Sequence, residues 1–233
     1  MAVAIVLAGG TGSRMGRDIP KQYIKIKDRE ILFYSLETFS KHEEISDIIL
    51  VTRQEDIEFC HKEIVSKYNI QKVKCIVAGG TERYDSVYQG LIAACSLSPE
   101  IVMIHDGARP FVTAEMISES IKTAKEHSAC TVGMPVKDTI KIVSTDKEKI
   151  VGEETPDRKK LYQIQTPQTF NYTVLKAAYD EMRKDQNHKI TDDTMLVEQY
   201  KGIKSVIIKG SYKNIKITTE EDLEIAEKFL EKF

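Results

Sequence analysis

Ala2-Val3-Ala4-Ile5-Val6-Leu7 runs without a break into Ala8-Gly9-Gly10-Thr11-Gly12-Ser13-Arg14-Met15-Gly16. The first six residues are apolar without alternation, the pattern of a strand buried on both faces. The glycines that follow let the backbone come close to a phosphate and turn its N–H groups inward. Two standard phosphate loops fail against this stretch. A Walker A loop ends in Gly-Lys-Ser/Thr, which is absent. A dinucleotide fingerprint places a third glycine where Met15 stands and an acid at the end of the second strand, where the chain has Val51-Thr52-Arg53. What remains is a glycine-rich loop containing Arg14, with Pro20-Lys21 shortly after. Taken alone, it reads either as two fixed cations beside a nucleotide's phosphates or as a glycine turn with solvated cations.

Outward from that stretch, short apolar runs alternate with helical ones. Strands are expected at Ile48–Val51, Val73–Val77 and Ile101–Ile104, and helices at Ile31–Phe39, Glu55–Tyr68, from Ser86 to Cys95, and over Ala114–His127. This order predicts an α/β fold: a Rossmann-like three-layer α/β/α arrangement with a mostly parallel sheet and ligands at the carboxyl ends of its strands. The second half breaks the rhythm. Ile140–Glu154 alternates apolar and charged residues about a turn and reads as a β-hairpin arm at about 137–155, either a surface hairpin or an arm that packs on a second subunit. Helices follow at Val174–Met182, Thr194–Tyr200 and Glu220–Leu230, the last capped by Thr219, with strands at Ser205–Ile208 and Ile215–Ile217. The 233 residues read as a single domain, 1–233, long enough for a full core.

Composition excludes several classes. With 34 basic and 36 acidic residues, net charge −2, the chain lacks the basic excess of a general nucleic-acid binder. No apolar run approaches the roughly 20 residues of a membrane span, and the N-terminal run has no basic region before it, so no membrane association is expected. The four cysteines, Cys60, Cys75, Cys95 and Cys130, form no CxxC pair. They are expected as reduced thiols of a cytoplasmic protein, packed as small apolar residues.

Three more segments carry polar chemistry. Gly79-Gly80-Thr81-Glu82-Arg83-Tyr84-Asp85-Ser86-Val87 places paired glycines before a helix start, suited to a base or sugar or simply to a capped loop. His105-Asp106-Gly107-Ala108-Arg109-Pro110 ends a strand, and an acid there is well placed to hold Mg²⁺ on a triphosphate, so Asp106 is the metal candidate. His105 faces the opposite way and reads as a packed histidine. Later segments (Val136–Lys141, Thr155–Arg158, Gln165–Gln168, Thr191–Asp193 and Asn214–Thr218) repeat Thr, Arg and Lys at expected turns or strand ends. Each alone reads as a plain turn. Together they suit a phosphorylated, hydroxyl-rich acceptor.

The ordered set LAGGTGSRMG, PKQY, AGGTERYDSV, HDGARPF, PVKDTIK, TPDR, QTPQ, TDD and NIKIT, from Leu7 to Thr218, resembles the 2-C-methyl-D-erythritol 4-phosphate cytidylyltransferase family of the non-mevalonate isoprenoid pathway. The sister ribitol-5-phosphate cytidylyltransferases share the glycine loop, PKQ, QTPQ and the NIK segment. PVKDTIK and Ser86-Val87 favour the erythritol group, whereas LAGG is common in the ribitol group and Thr81 stands where many relatives have an acid. The resemblance implies transfer of CMP from CTP, with Mg²⁺, to a polyol phosphate. It implies that Ala8, Gly9 and Gly10 form the triphosphate loop, that Arg14, Lys21 and Lys216 are catalytic cations, and that Gly80, Thr81 and Ser86 surround the cytosine. Gly107 and Asp106 would lie by the ribose and metal. Thr139, Arg158, Thr166 and Thr191 would surround the acceptor, completed by the arm of a second subunit in a homodimer. A sugar-1-phosphate nucleotidylyltransferase shares the glycine-rich opening but not TPDR, QTPQ and NIKIT. A CTP-binding regulatory domain would lack the catalytic cations.

Overall fold

The computed structural model describes residues 1–10, 19–146, 149–185, 187 and 189–231. Eleven strands and seven α-helices are described. The strands are β1 (Ala2–Leu7), β2 (Lys25–Ile26), β3 (Arg29–Glu30), β4 (Ile45–Thr52), β5 (Val73–Ala78), β6 (Ile101–Asp106), β7 (Ala129–Pro135), β8 (Ile142–Asp146), β9 (Lys149–Glu154), β10 (Tyr162–Asn171) and β11 (Val206–Lys209). The helices are α1 (Ile31–Lys41), α2 (Ile57–Phe59), α3 (Arg83–Ala94), α4 (Ala114–His127), α5 (Tyr172–Met182), α6 (Asp193–Lys201) and α7 (Glu220–Leu230).

Seven strands form one sheet in the order β11-β7-β10-β6-β1-β4-β5. β1 runs parallel to both β4 and β6, and β4 parallel to β5. β10 alone runs antiparallel, between β6 and β7. The α/β expectation and the mostly parallel sheet are borne out.

The alternation within β1 shows why the layers form. Ala2, Ala4 and Val6 face the side covered by α1 and α4, with Leu32, Leu36, Phe39, Ile117 and Ile121 in the same cluster. Val3 and Ile5 face the other side, covered by α3, α5 and α6 through Val87, Leu91, Leu175 and Leu196. Gly90 permits the close seat of α3, since a Cβ there would stand 2.5 Å from Cγ2 of Ile5. A third cluster packs α7 against β2 and the start of α1 through Ile26, Ile31, Leu223 and Ala226. Thr219 does cap α7, in a reciprocal box with Asp222.

Several expectations need correction. The Glu55–Tyr68 helix winds unevenly: a 3₁₀ turn at Gln54–Asp56, the short α2, then π-type turns over Cys60–Ser66. Ile215–Ile217 is not a strand but irregular chain pinned to the β6 exit, where Ile217 N–H donates to Ala108 O. The QTPQ segment is not a turn. It lies inside β10, its residues Gln165–Phe170 buried. β7 and β10 escape apolar patterning altogether. Of the cysteines, Cys60 and Cys130 are buried, Cys75 is partly so, and Cys95 is exposed. The arm is present as the antiparallel pair β8–β9.

Candidate active site

The carboxyl ends of β1 and β6 lie side by side, with Leu7 paired to Asp106, and the end of β4 pairs onward to β5. A cavity of about 200 Å³ opens there, lined by Ala8, Gly9, Gly10, Lys21, Gln22, Gly80, Thr81, Glu82, Arg83, Ser86, Asp106, Ala108 and Lys216. Nine of the residues singled out from the sequence thus share one opening: Ala8, Gly9, Gly10, Lys21, Gly80, Thr81, Ser86, Asp106 and Lys216. Arg14 lies outside the described residues. A larger groove around His42, Glu44 and Ser118 shares no residue with this cavity.

Local hydrogen bonds build each wall. Gln22 reaches back from the turn after Pro20 and donates its amide to Ala8 O at 2.5 Å and to Gly10 O at 3.0 Å. That holds the start of the glycine loop and places Lys21 beside it. On the opposite wall, Ser86 Oγ accepts from Gly80 N–H and donates to Glu82 O. Glu82 itself caps α3 together with Asp85. A Cβ on Gly80 would stand 2.4 Å from Cβ of Asp85, so the loop closes on the helix only with glycine there. Gly107 does not line the cavity; its N–H donates to Leu7 O and ties β6 to β1.

The floor is Asp106. Its Oδ1 accepts from Arg83 Nε at 3.3 Å, while its Oδ2 lies 2.9 Å from Lys216 Nζ and 3.8 Å from Arg109 Nε. Burial would raise its pKa, but Arg83, Lys216 and Arg109 hold it well below the ordinary carboxylate range. Arg83 also pairs with the fully buried Asp193 at 2.8 Å. Burial lowers its pKa, yet Asp193 and Asp106 together outweigh that and keep it above the usual guanidinium value. Arg109 donates from Nη1 to Asn214 O, and Asn214 donates from Nδ2 to Thr166 O. These bonds place the irregular segment that carries Lys216.

His105 is buried, as its position opposite Asp106 implied. Nε2 donates to Arg109 O, and the remaining nitrogen, Nδ1, accepts from the Thr166 hydroxyl. Burial pushes its pKa down to about 4, so near neutral pH it is an uncharged strut. Thr166 Oγ1 in turn accepts from Asp106 N–H at 3.1 Å, which fixes the acid from β10.

The acceptor set is not assembled in the same way. Thr166 is at the floor. Thr139 and Arg158 are exposed near the arm, Arg158 donating to Lys137 O, and Thr191 is exposed before α6. None of these three lines the cavity. Sequence reasoning gave no role to Gln22 and Arg83. Both sit inside quoted motifs, and an arginine one residue into a helix that follows paired glycines was a usable signal.

For Mg²⁺, the donor set is a single carboxylate. Asp193 is spent on Arg83 and Tyr179, and among the described residues no group of three His, Cys, Asp or Glu could form a cage. One carboxylate fits the usual way Mg²⁺ is held, with the remaining oxygens supplied by substrate phosphates and water.

Glycine-rich strand exits and an acid ringed by cations thus meet at the carboxyl ends of a mostly parallel sheet. Residues 2–232 match the family model described as IspD, 2-C-methyl-D-erythritol 4-phosphate cytidylyltransferase. A protein of that name from Clostridium botulinum (strain Langeland) is 48% identical over 228 residues, covering 98% of this chain and 96% of its own. Another from Clostridioides difficile is 46% identical over 230 residues, covering 99% and 94%. The crystal structure of 4-diphosphocytidyl-2C-methyl-D-erythritol synthase from Anaerococcus prevotii superposes with a TM-score of 0.85 at 35% identity, covering 99% of this chain and 96% of that one. The chain belongs to the 2-C-methyl-D-erythritol 4-phosphate cytidylyltransferase family.

Replacing Asp106 by Asn leaves Arg83, Arg109 and Lys216 facing one another. Urea denaturation at pH 7 is expected to show a loss of about 2 kcal/mol, below the full value for a broken buried pair because Arg83 and Lys216 are partly hydrated. Unchanged stability would mean that the cations do not depend on the acid.

Proposed function

We propose that the chain transfers CMP from CTP to the phosphate of 2-C-methyl-D-erythritol 4-phosphate, releasing pyrophosphate. The observation that carries this reading is the clustering of Lys21, Arg83 and Lys216 around one opening, with Arg109 behind them, against Glu82, Asp106 and Asp193. A surplus of fixed positive charge is what the meeting of an anionic nucleophile and a polyanion requires.

An acceptor phosphate oxygen attacks the α-phosphorus of CTP, the new P–O bond forms, and the bond to pyrophosphate breaks. The nucleophile is already ionised near neutral pH, so no strong general base is needed. His105 could not serve as one, since both ring nitrogens are engaged. Lys21 and Arg14 neutralise the triphosphate; Lys216, held at Asp106, faces the bond being made. Ala8, Gly9 and Gly10 turn backbone groups to the phosphates. Gly80, Thr81 and Ser86 surround the cytosine and Asp106 the ribose, while Gly107, which does not line the cavity, seats the end of β6 against β1. Mg²⁺, when bound, spreads charge across the phosphates, and Asp106 is the residue to hold it.

The acceptor side is read as shared between two copies. Thr139 and Arg158 stand away from the cavity of their own chain, and the arm exposes Ile142, Val143, Ile150 and Val151. A homodimer in which the arm and the turn that follows it bring Thr139 and Arg158 to the partner's Thr166 and Thr191 accounts for both facts. Among the described residues no helix is long and apolar enough to cross a membrane, in keeping with a cytoplasmic enzyme on small soluble substrates.

With CTP and Mg²⁺, pyrophosphate release is expected to be much faster with methylerythritol 4-phosphate than with ribitol 5-phosphate at equal concentration. The reverse preference would move the protein to CDP-ribitol formation and leave the CTP site as described. In sedimentation velocity the chain should run as a dimer, and replacing Val143 and Ile150 with Asp should yield monomers with little activity. A fully active monomer would remove the arm from the site.

A further inference from the structure

Asp193 opens α6 but does not cap it. That task belongs to Asp192, whose carboxylate accepts from Met195 N–H at 2.8 Å. The Asp193 side chain instead turns inward and is wholly buried. One oxygen accepts from Tyr179 of α5 and the other from Arg83 Nη1 of α3, at 2.5 and 2.8 Å. Its backbone N–H donates to Gln168 Oε1 of β10 at 3.0 Å. A carboxylate buried this deeply does not gain its place through stability, because such pairs are often matched or bettered by apolar residues of similar size. Its charge partner, however, is a cavity residue. Through Nε, the same guanidinium holds Asp106 Oδ1, leaving Oδ2 to Lys216.

We infer that Asp193 is a positioning residue for the transfer step: it clamps Arg83 between two carboxylates and so fixes how Asp106 presents Lys216 to the reacting phosphates. The inference rests on the transferase reading above. The planar fork of arginine suits this task, with separate nitrogens bonding two acids in fixed directions, which a lysine ammonium would not reproduce. The clamp also has a consequence for the acceptor. Thr191 lies two residues before Asp193 in the same turn, and Gln168 lies two residues after Thr166 on β10. The loop on the acceptor side and the acid on the nucleotide side are therefore joined through one guanidinium.

The test uses Asp193→Asn, which keeps the shape and removes the charge, alongside Tyr179→Phe, which deletes the other hydrogen bond to the same carboxylate and leaves Arg83 paired. Steady-state pyrophosphate release is measured with each substrate varied, and thermal unfolding is recorded for every variant. Asp193→Asn should lower kcat by about 10–100-fold, the scale on which loss of an outer partner acts on a site group. Tyr179→Phe should lose thermal stability while keeping kcat within about twofold, since it leaves the ion pair in place. If both variants lose activity in proportion to their loss of stability, Asp193 is only a packing element and the inference is overturned. A wild-type kcat in Asp193→Asn overturns it as well. Should that variant fail to fold, Arg83→Lys carries the test, with the same fall in kcat expected and an unchanged kcat contradicting the clamp. Failure of the transferase reading looks different: the wild-type enzyme itself would release no pyrophosphate with either acceptor, and both conclusions would fall together.

Discussion

The carboxylate of Asp106, at the end of a central strand and held by Arg83, Arg109 and Lys216, is the contact on which the site depends. Three cations this close repel one another, and each comes from a different part of the chain: the start of α3, the β6 exit loop, and the irregular segment before α7. The acid gives them a common centre. It is itself tied to β10 by the bond from its N–H to Thr166 Oγ1. Much of the second half of the chain can be understood as scaffolding for that arrangement. Asn214 and Arg109 hold the Lys216 segment, His105 props Thr166 against the β6 exit, and Asp193 anchors the far side of Arg83.

In the proposed reading the two substrate halves are built differently. The nucleotide half stands on rigid sheet ends and helix starts within one chain, with Gln22 and Ser86 fastening its two loops by side-chain-to-backbone bonds. In that reading the acceptor half is spread over the β10 floor, the turn before α6 and the base of the arm, and it closes only when a second copy supplies Thr139 and Arg158.

Much of the first half of the chain was legible because β1, β4 and β6 are largely buried on both faces and therefore read as plain apolar runs. β1 and the α4 boundaries match the sequence expectation residue for residue. β7 and β10 were not legible for opposite reasons. Ala129–Pro135 mixes Ala, Cys, Thr and Gly and shows no period. Tyr162–Asn171 is rich in Gln and Thr and contains Pro167, which normally argues against a strand beside two neighbours. β10 buries Gln165, Thr166 and Gln168 because each has a partner: Gln165 donates to Ser211 O, Gln168 to Asp192, and Thr166 to His105, whereas the buried Thr169 hydroxyl has none among the described residues. The local rule fails where the site is. Arg83 could be marked locally only as an arginine at a helix start after paired glycines; that it bridges Asp106 and Asp193, far apart in sequence, is set by tertiary packing.

The central claim is that an acceptor phosphate oxygen attacks the α-phosphorus of CTP in this cavity. It is tested most directly by ³¹P NMR of the reaction with methylerythritol phosphate carrying ¹⁸O on its phosphate. The account predicts a diphosphate product whose bridging oxygen shifts both phosphorus signals isotopically, alongside pyrophosphate free of label. Label in the pyrophosphate, or release of pyrophosphate without a new diphosphate linkage, would contradict it.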